Sequence, residues 1–279
     1  MLRRGESKAN ITLMYLFMAL VTFVCLFPVL WMCTISVKTV GEKISGFNAL
    51  RVEKFTLANF KYLFQLIPVW NNLYNSLFTT IVGTVTTLFF CSLAGFAFAK
   101  YRFPGRDFLF CFVIATMMVS AEAGAIPLFV IMKKVGLINS LWSLILPRIA
   151  TAVGIFYLRQ YILEVPDELI EAARIDGCSD FGIYAKIVCP NIKPALASWA
   201  SITMIARWND FFWPLLFLNK NKKYTLMVSV SMLPESDGIA TPWQVILAGC
   251  TIVIVPSIIM YLCMQSFNKS GTFEGAVKG

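Results

Sequence analysis

Long runs of apolar residues, separated by short polar intervals, dominate this chain. A helix needs about 20 mostly apolar residues to cross the roughly 30 Å hydrocarbon core of a bilayer, and the runs are of about that length. They lack the alternation of apolar and polar residues that is typical of membrane β-barrel strands. The pattern therefore predicts an all-α membrane protein with six transmembrane helices in a single domain over residues 1–279. The predicted spans are residues 11–34, 75–99, 108–132, 141–161, 195–218 and 243–267.

Local features of these runs refine the prediction. The first run is too long for the apolar core of a signal peptide and lacks a clear cleavage site, so we expect a retained helix. In the second span, Gly83, Ser92 and Gly95 are small enough to let neighbouring helices approach closely. Proline removes a backbone hydrogen bond and kinks a helix, and it occurs in most of the predicted spans. These prolines are Pro28, Pro127, Pro147, Pro214 and Pro256.

The polar interval at residues 164–194 carries strong helix signals. Pro166 suits the first position of a helix, where a missing N–H costs nothing. Gly177 suits the end of that helix because glycine adopts the left-handed conformation readily. Ser179 can then cap the start of a second short helix. The interval is therefore predicted to be a helix–turn–helix between two spans, and it is either a solvated connector or a docking site for a soluble partner, with Glu171 supplying a charge.

Composition excludes several classes of function. The chain is 58% hydrophobic and only 14% charged, whereas about a quarter of the residues are charged in soluble domains. Its net charge of +9 comes from scattered Lys and Arg, so we expect contact with membrane lipid and no nucleic-acid binding. The eight Cys show no C-x-x-C spacing and there is no His, so we expect no disulfide framework, no metal site and no Ser-His-Asp or Cys-His catalysis.

Charged residues inside the predicted spans are candidate functional groups, because a charge at mid-bilayer is costly and must face protein or water. They are Glu122, Arg207 and Asp210. Arg207 and Asp210 lie three residues apart, so they could pair on one helix face. Alternatively they could line a translocation path, hold a gate or act as an ion relay. Trp208 and Trp213 could stack on sugar rings, although such aromatic residues more often serve packing.

The polar interval resembles a known motif. Glu171-Ala172-Ala173, Asp176-Gly177, Ile187, Pro190 and Pro194 are similar to the EAA loop of ABC-importer permeases, with Cys178 where that family usually has Ala. The resemblance implies a type I importer permease fold in which residues 164–194 form the coupling helix that enters a cleft of a cytoplasmic ATPase. The implied coupling residues are Glu171, Ala172, Ala173, Asp176, Gly177, Cys178 and Phe181.

Further motifs resemble the carbohydrate branch of that family, the maltose-permease-like second subunit. They are Ile126-Pro127-Leu128, Gly136-Leu137-Ile138-Asn139, the segment ARWNDFFWPLLF around Trp208, and the terminal GAVKG. The resemblance implies a path for an oligosaccharide or other carbohydrate. The candidate path residues are Glu122, Arg207, Trp208, Asn209, Asp210 and Trp213.

The resemblance also implies partners and a location. The expected partners are a second, different permease, a dimer of ATP-binding subunits and an extracellular solute-binding protein, which the loop at 219–241 would contact. The chain has no G-x-x-x-x-G-K-[ST] phosphate loop, so we expect it to bind no cofactor and to be no enzyme, with ATP and Mg²⁺ held by the ATPase. An amino-acid or peptide permease and a stand-alone secondary transporter are the alternatives.

Orientation rests partly on the resemblance. An even number of spans places both termini on one side of the membrane. Lys and Arg are nearly balanced between the two sides, but the basic N-terminus and the short basic turn at 100–106 favour the cytoplasm for that side. The ATPase-facing loop agrees, so we predict a multi-pass protein of a bacterial or archaeal cell membrane with both termini cytoplasmic.

Overall fold

The computed structural model describes residues 8–44, 49–234 and 241–275, with the backbone alone for residues 8–10 and 266–275. The terminal GAVKG motif beyond Gly275 lies outside the described residues, as does part of the 219–241 loop. The described helices are α1 (Lys8–Ser36), α2 (Ala58–Leu66), α3 (Val69–Lys100), α4 (Arg106–Thr116), α5 (Ala125–Lys134), α6 (Trp142–Ile145), α7 (Ala152–Leu163), α8 (Asp167–Ile175), α9 (Asp180–Ile183), α10 (Cys189–Asn191), α11 (Lys193–Trp208), α12 (Phe212–Phe217), α13 (Leu226–Ser231) and α14 (Trp243–Gly275).

Among the described residues, three helices are long and apolar enough to cross a membrane, judged by length and composition. They contain residues 11–36, 69–100 and 243–265, so the first, second and sixth predicted spans each lie on one continuous helix. The third predicted span is instead two helical pieces, residues 106–116 and 121–134, which are bent by 94° and would form a fourth crossing if they act as one. The count of six spans stays a prediction.

Prolines and polar residues explain why the third, fourth and fifth predicted spans are not single helices. Pro127 lies in the first turn of α5, where its missing N–H breaks no intrahelical bond. Pro147 lies in a short 3₁₀ turn, and Thr151 then caps α7 by accepting a hydrogen bond from the Gly154 amide. The fifth predicted span breaks after α11, and Asp210 accepts a bond from the Trp213 amide at the start of α12.

The contacts divide the chain into two compact units. The first contains residues up to 67 and residues 230–254. Within it, the Asn59 side-chain amide donates to the carbonyls of Ser36 and Lys38 at 2.8 and 2.7 Å, which ties α2 to the end of α1. Gly249 of α14 packs against Val230, where a Cβ would come within 3.0 Å of a valine methyl.

The second unit contains residues 68–229 and the chain from residue 255 onwards. Its centre is α3, which packs on α7 and α11. Small residues make this approach possible, because a Cβ on Gly95 would lie 3.1 Å from the Arg159 backbone nitrogen and one on Gly83 would lie 2.5 Å from the Arg207 guanidinium. The predicted role in close helix contact is therefore confirmed for Gly95, whereas Gly83 makes room for the Arg207 side chain.

Candidate functional site

A helical knob, residues 167–188, follows α7 in the second unit. It comprises α8, a turn, α9 and a π-helical turn at Tyr184–Val188. The α8 helix ends where Gly177 adopts a φ of +79° and the Cys178 amide bonds to the Ala173 carbonyl at 2.9 Å. Ser179 then caps α9 by accepting from the Gly182 amide at 3.2 Å. The predicted glycine end and serine cap are confirmed, whereas Pro166 precedes the helix with an extended ψ of 136° and does not occupy its first position.

The inner face of the knob is anchored in an apolar core. Ile170, Ala173 and Ile183 are buried against side chains of α3, α7 and α11. The Tyr184 hydroxyl lies 2.7 Å from the Ser92 hydroxyl on α3, and burial raises the pKa of Tyr184 to about 12. These contacts make the knob a fixed projection of the second unit, held by its own apolar residues.

The outer face of the knob exposes both apolar and acidic side chains. Ile175 is 86% exposed and Phe181 is 60% exposed, and Glu171 and Asp176 are exposed beside them. Of the predicted coupling residues, Ala172, Gly177 and Cys178 are also exposed. Ala173 is 6% exposed, so it packs inward and cannot present its side chain to a partner without rearrangement.

Ile175 is part of this exposed face, although it does not belong to the motif. The helical period offered the signal: the buried residues Ile170 and Ala173 are three apart, and Ile175 lies outside that stripe.

Lys100 ties the knob to the end of α3. Its ammonium donates to the Val165 carbonyl at 2.6 Å and to the Asp167 carboxylate at 2.7 Å, and its side chain is only 5% exposed. The hydrogen bond from Lys100 holds the pKa of the Asp167 carboxyl below its ordinary value. The first turn of α8 is thereby fixed to the last turn of α3, a role for Lys100 that the sequence pattern did not reveal.

A second group of charges lies where the fourth and fifth predicted spans break. Arg207 is 8% exposed and donates to the Leu144 carbonyl at 3.2 Å, the Thr87 hydroxyl at 2.9 Å and the Arg148 carbonyl at 2.8 Å. Its guanidinium lies against Gly83, where no side chain would fit without displacing it. Arg207 therefore joins α3, the α6 region and α11 through hydrogen bonds inside the second unit.

Asp210 pairs with Arg148, so of the alternatives for Arg207 and Asp210 the one in which they pair with each other is wrong. The Arg148 guanidinium donates to the Asp210 carboxylate, and the two side chains are 25% and 13% exposed. That alternative assumed a continuous helix, but α11 ends at Trp208, so residues 207 and 210 do not share a helical face. Arg148 was visible in the sequence as a cation at a predicted span, but nothing in its spacing indicated Asp210 as its partner.

The remaining predicted path residues are dispersed. Glu122 is exposed in a 3₁₀ turn, where the Ser120 hydroxyl donates to it. Trp208 is 2% and Trp213 is 8% exposed, which fits the packing interpretation of these aromatic residues. Asn209 is exposed and its side-chain amide donates to the Ile205 carbonyl at 3.1 Å. The structure thus brings Arg207 and Asp210 together with Arg148, and it does not bring Glu122 to them.

A match to a family model decides what kind of protein carries these features. Residues 91–270 match the model described as "Binding-protein-dependent transport system inner membrane component", which covers the knob and the charged cluster. The chain belongs to this family of transport permeases.

Relatives of the permease match over its full length. It is 35% identical over 281 residues to the arabinooligosaccharides transport system permease protein AraQ of Halalkalibacterium halodurans, with 100% of both chains covered. It is 31% identical over 264 residues to the lactose transport system permease protein LacG of Rhizobium radiobacter, with 95% of both covered. A chain of a bacterial ABC transporter involved in alginate import superposes with a TM-score of 0.82 at 24% identity, covering 94% of the permease and 98% of that chain, which shows the shared fold.

The permease also fixes a basic turn at the start of α3. The Asn72 side-chain amide donates to the carbonyls of Asn221 and Tyr224 at 3.0 and 2.8 Å, and Asn75 donates to those of Lys222 and Tyr224 at 2.9 and 3.0 Å. Ser76 accepts from the Leu226 amide at 2.8 Å. This asparagine clamp (Asn72, Asn75 and Ser76) leaves the side chains of Lys220, Lys222 and Lys223 exposed on the turn that it holds.

Proposed function

We propose that this chain is the permease subunit of an ATP-driven ABC importer and forms, with a second permease, the path for an oligosaccharide or other carbohydrate. The carbohydrates in the names of the relatives support the substrate class. An extracellular binding protein delivers the sugar, and the lysine turn at 220–223 faces it. A permease for amino acids or peptides is the alternative, and direct uptake of labelled oligosaccharide against labelled amino acid separates the two.

The exposed face of the helical knob carries the proposal. Burial of the exposed Ile175 and Phe181 side chains by a partner would be favourable. The exposed carboxylates of Glu171 and Asp176 beside them suit a partner that has Arg or Lys around an apolar cleft. Such a partner is the cytoplasmic ATPase, which holds the ATP and Mg²⁺ because this chain has no phosphate loop. The knob and both termini then face the cytoplasm.

In the proposed mechanism, movement of the ATPase subunits is transmitted through the knob to the helices of the permease. ATP binding closes the ATPase dimer, the knob moves with it, and the helices of the second unit follow because Lys100 and the apolar core join them to α8. Moving a two-state equilibrium from 1:99 to 99:1 takes about 5.5 kcal/mol of differential binding, which nucleotide and binding protein supply between them.

Truncation of the exposed face tests the proposal. Removing the Ile175 side chain in Ile175→Ser leaves the fold of the permease intact, because that side chain is 86% exposed in the isolated chain. If the ATPase covers it, the lost burial is about 1.5–3 kcal/mol, so ATPase affinity falls roughly tenfold to a hundredfold. Glu171→Ala is expected to leave the protein inserted but to uncouple sugar uptake from ATP hydrolysis.

The control is Glu53→Ala, which removes an exposed carboxylate in the other unit. ATPase co-purification, ATP hydrolysis and sugar uptake are measured for each variant with the second permease present. Wild-type uptake and ATPase binding in both knob variants would refute docking at this face. Uptake by the permease in the absence of any ATPase would instead favour a stand-alone secondary transporter.

A further inference from the structure

A basic groove lies between the last turn of α3, the α3–α4 turn and α8. It has a volume of about 590 Å³ and is lined by four cationic side chains, from Lys100, Arg102, Arg106 and Arg174. Its carboxylates are those of Asp167 and Glu171. The lining of the groove therefore holds two more cations than carboxylates, with Asp107 and Asp180 beside Arg106 and Arg174, at the end of a helix that is long and apolar enough to cross the membrane.

The contacts inside the groove show which cation is available. Lys100 already donates hydrogen bonds to Val165 and Asp167, and Arg106 donates to its neighbour Asp107 at 2.8 Å. Arg102 is exposed, and among the described residues no carboxylate lies within 4.0 Å of its guanidinium. Arg102 therefore has no close ion-pair partner among the described residues, although its charge acts on the nearby Asp167.

Arg174 adds a second cation to the lining of the groove. Its guanidinium lies 5.4 Å from the centre of the Tyr101 ring and only at the limit of contact, 3.9 Å, from Asp180. Planar guanidinium groups bind phosphate oxygens in bidentate fashion, so Arg102 and Arg174 together suit a phosphate better than a monovalent halide.

An apolar surface begins where the basic groove ends. A smaller groove of about 300 Å³, lined by Arg102, Arg106 and Phe108 among others, continues onto α4. No residue of α4 is buried, and Phe108 and Phe112 are 75% and 63% exposed. Cationic side chains next to an exposed apolar helix match a molecule that has an anionic head and hydrocarbon chains.

We propose that this groove binds the phosphate headgroup of an anionic phospholipid, with the acyl chains lying along the exposed face of α4. The headgroup then bridges the α3–α4 turn, through Arg102, to α8, through Arg174. The groove shares Glu171 with the outer face of the knob, whereas the proposed phosphate contacts are Arg102 and Arg174.

Lipid retention by the intact transporter tests the site. The complex is purified from membranes, and bound phosphatidylglycerol is counted by native mass spectrometry for wild type, for the double variant Arg102→Gln with Arg106→Gln, and for Arg102→Lys. The matched control is Lys133→Gln with Lys134→Gln, which removes two exposed cations at the end of the apolar helix α5. We expect the groove variant to lose at least fivefold of the retained phosphatidylglycerol, Arg102→Lys to lose less, and the control to match wild type.

Two further measurements distinguish a phospholipid headgroup from inorganic phosphate as the ligand. Retention is repeated with millimolar inorganic phosphate and after reconstitution in phosphatidylcholine alone or with phosphatidylglycerol. Displacement of the lipid by inorganic phosphate would overturn a lipid site in favour of a general anion site. Equal loss in groove and control variants, or no loss in the groove variant, would also overturn the proposal, and unchanged melting temperatures in phosphatidylcholine exclude misfolding as the cause.

Discussion

The guanidinium of Arg148 donates to the carboxylate of Asp210, whereas Arg207, three residues before Asp210, donates to Leu144, Thr87 and the backbone carbonyl of Arg148. One carboxylate thus compensates a pair of cations where two helical segments break. The arrangement holds the end of α11 against the residues that precede α7. These hydrogen bonds join the three charged side chains into one connected group of the second unit.

Exchanging the two charges of the ion pair is expected to rescue the single changes. Asp210→Arg alone places three cations together, and Arg148→Asp alone places two carboxylates together. Breaking a buried pair costs about 3–5 kcal/mol, and partial exposure of both side chains reduces this to roughly 1–3 kcal/mol here. The melting temperature of the purified permease measures the loss, and the double variant should recover much of it. Strictly additive losses would show that the two side chains do not interact.

Adding one methyl group at Gly83 should disturb the same group of charges. The Cβ of Gly83→Ala would lie 2.5 Å from an Arg207 guanidinium nitrogen, so the guanidinium must move and weaken its bonds to Thr87 and Leu144. The expected destabilisation is about 1–3 kcal/mol, measured by thermal unfolding in detergent. Gly124→Ala is the matched control because a Cβ there meets nothing within 4 Å. Equal stability of the two variants would contradict the prediction.

Backbone conformation alone should decide which residues Gly177 tolerates. Its φ is +79° and a Cβ would meet nothing within 4 Å, so a substitution is strained by conformation and not by space. Gly177→Val should distort the end of α8 and reduce ATPase co-purification, whereas Gly177→Asn should retain most of it because Asn adopts this region more readily. If both variants bind the ATPase equally, the left-handed turn does not matter for docking.

Acid should loosen the attachment of α8 to α3. The pKa of Asp167 is below its ordinary value because Lys100 donates to it, so the ion pair stabilises the fold above the unfolded-state pKa of about 4. That contribution is lost as the pH falls through the lower folded-state pKa. Hydrogen exchange of residues 165–175 should therefore accelerate, beyond the intrinsic pH effect, as the pH falls below about 4 in the wild type but not in Asp167→Asn.

Replacing Lys100 by Met removes both hydrogen bonds that join α3 to the start of α8. It removes the donor to Asp167 and leaves the Val165 carbonyl without its 2.6 Å partner. Exchange in residues 165–175 should then be faster at neutral pH as well. Unchanged exchange in Lys100→Met would show that the apolar core alone fixes α8.

The sequence predicted those features that depend on local patterns. The continuous helices α1, α3 and α14 follow from unbroken apolar runs, and the end of α8 follows from Gly177, because helix length and glycine conformation are local properties. The exposed face of the knob was predicted in part, since Glu171 and Phe181 belong to the motif and Ile175 does not.

The sequence did not predict features that depend on which segments meet in space. The partners of Asp210 and Lys100 lie 62 and 67 residues away, and no spacing rule connects them. The breaks in the third, fourth and fifth predicted spans were also missed, because an apolar composition satisfies the length requirement whether or not the backbone is continuous. Proline positions gave the only local indication of those breaks.

The long helix α3 makes side-chain contacts at both of its ends. The 32 residues of α3 extend about 48 Å at 1.5 Å per residue. Near its first turn, Asn72 and Asn75 donate hydrogen bonds to the turn that carries the lysines, and at its last residue Lys100 donates to Val165 and to Asp167 of α8. Because one continuous helix joins the two contacts, we expect a lengthwise displacement of α8 to be transmitted to the turn at 220–223.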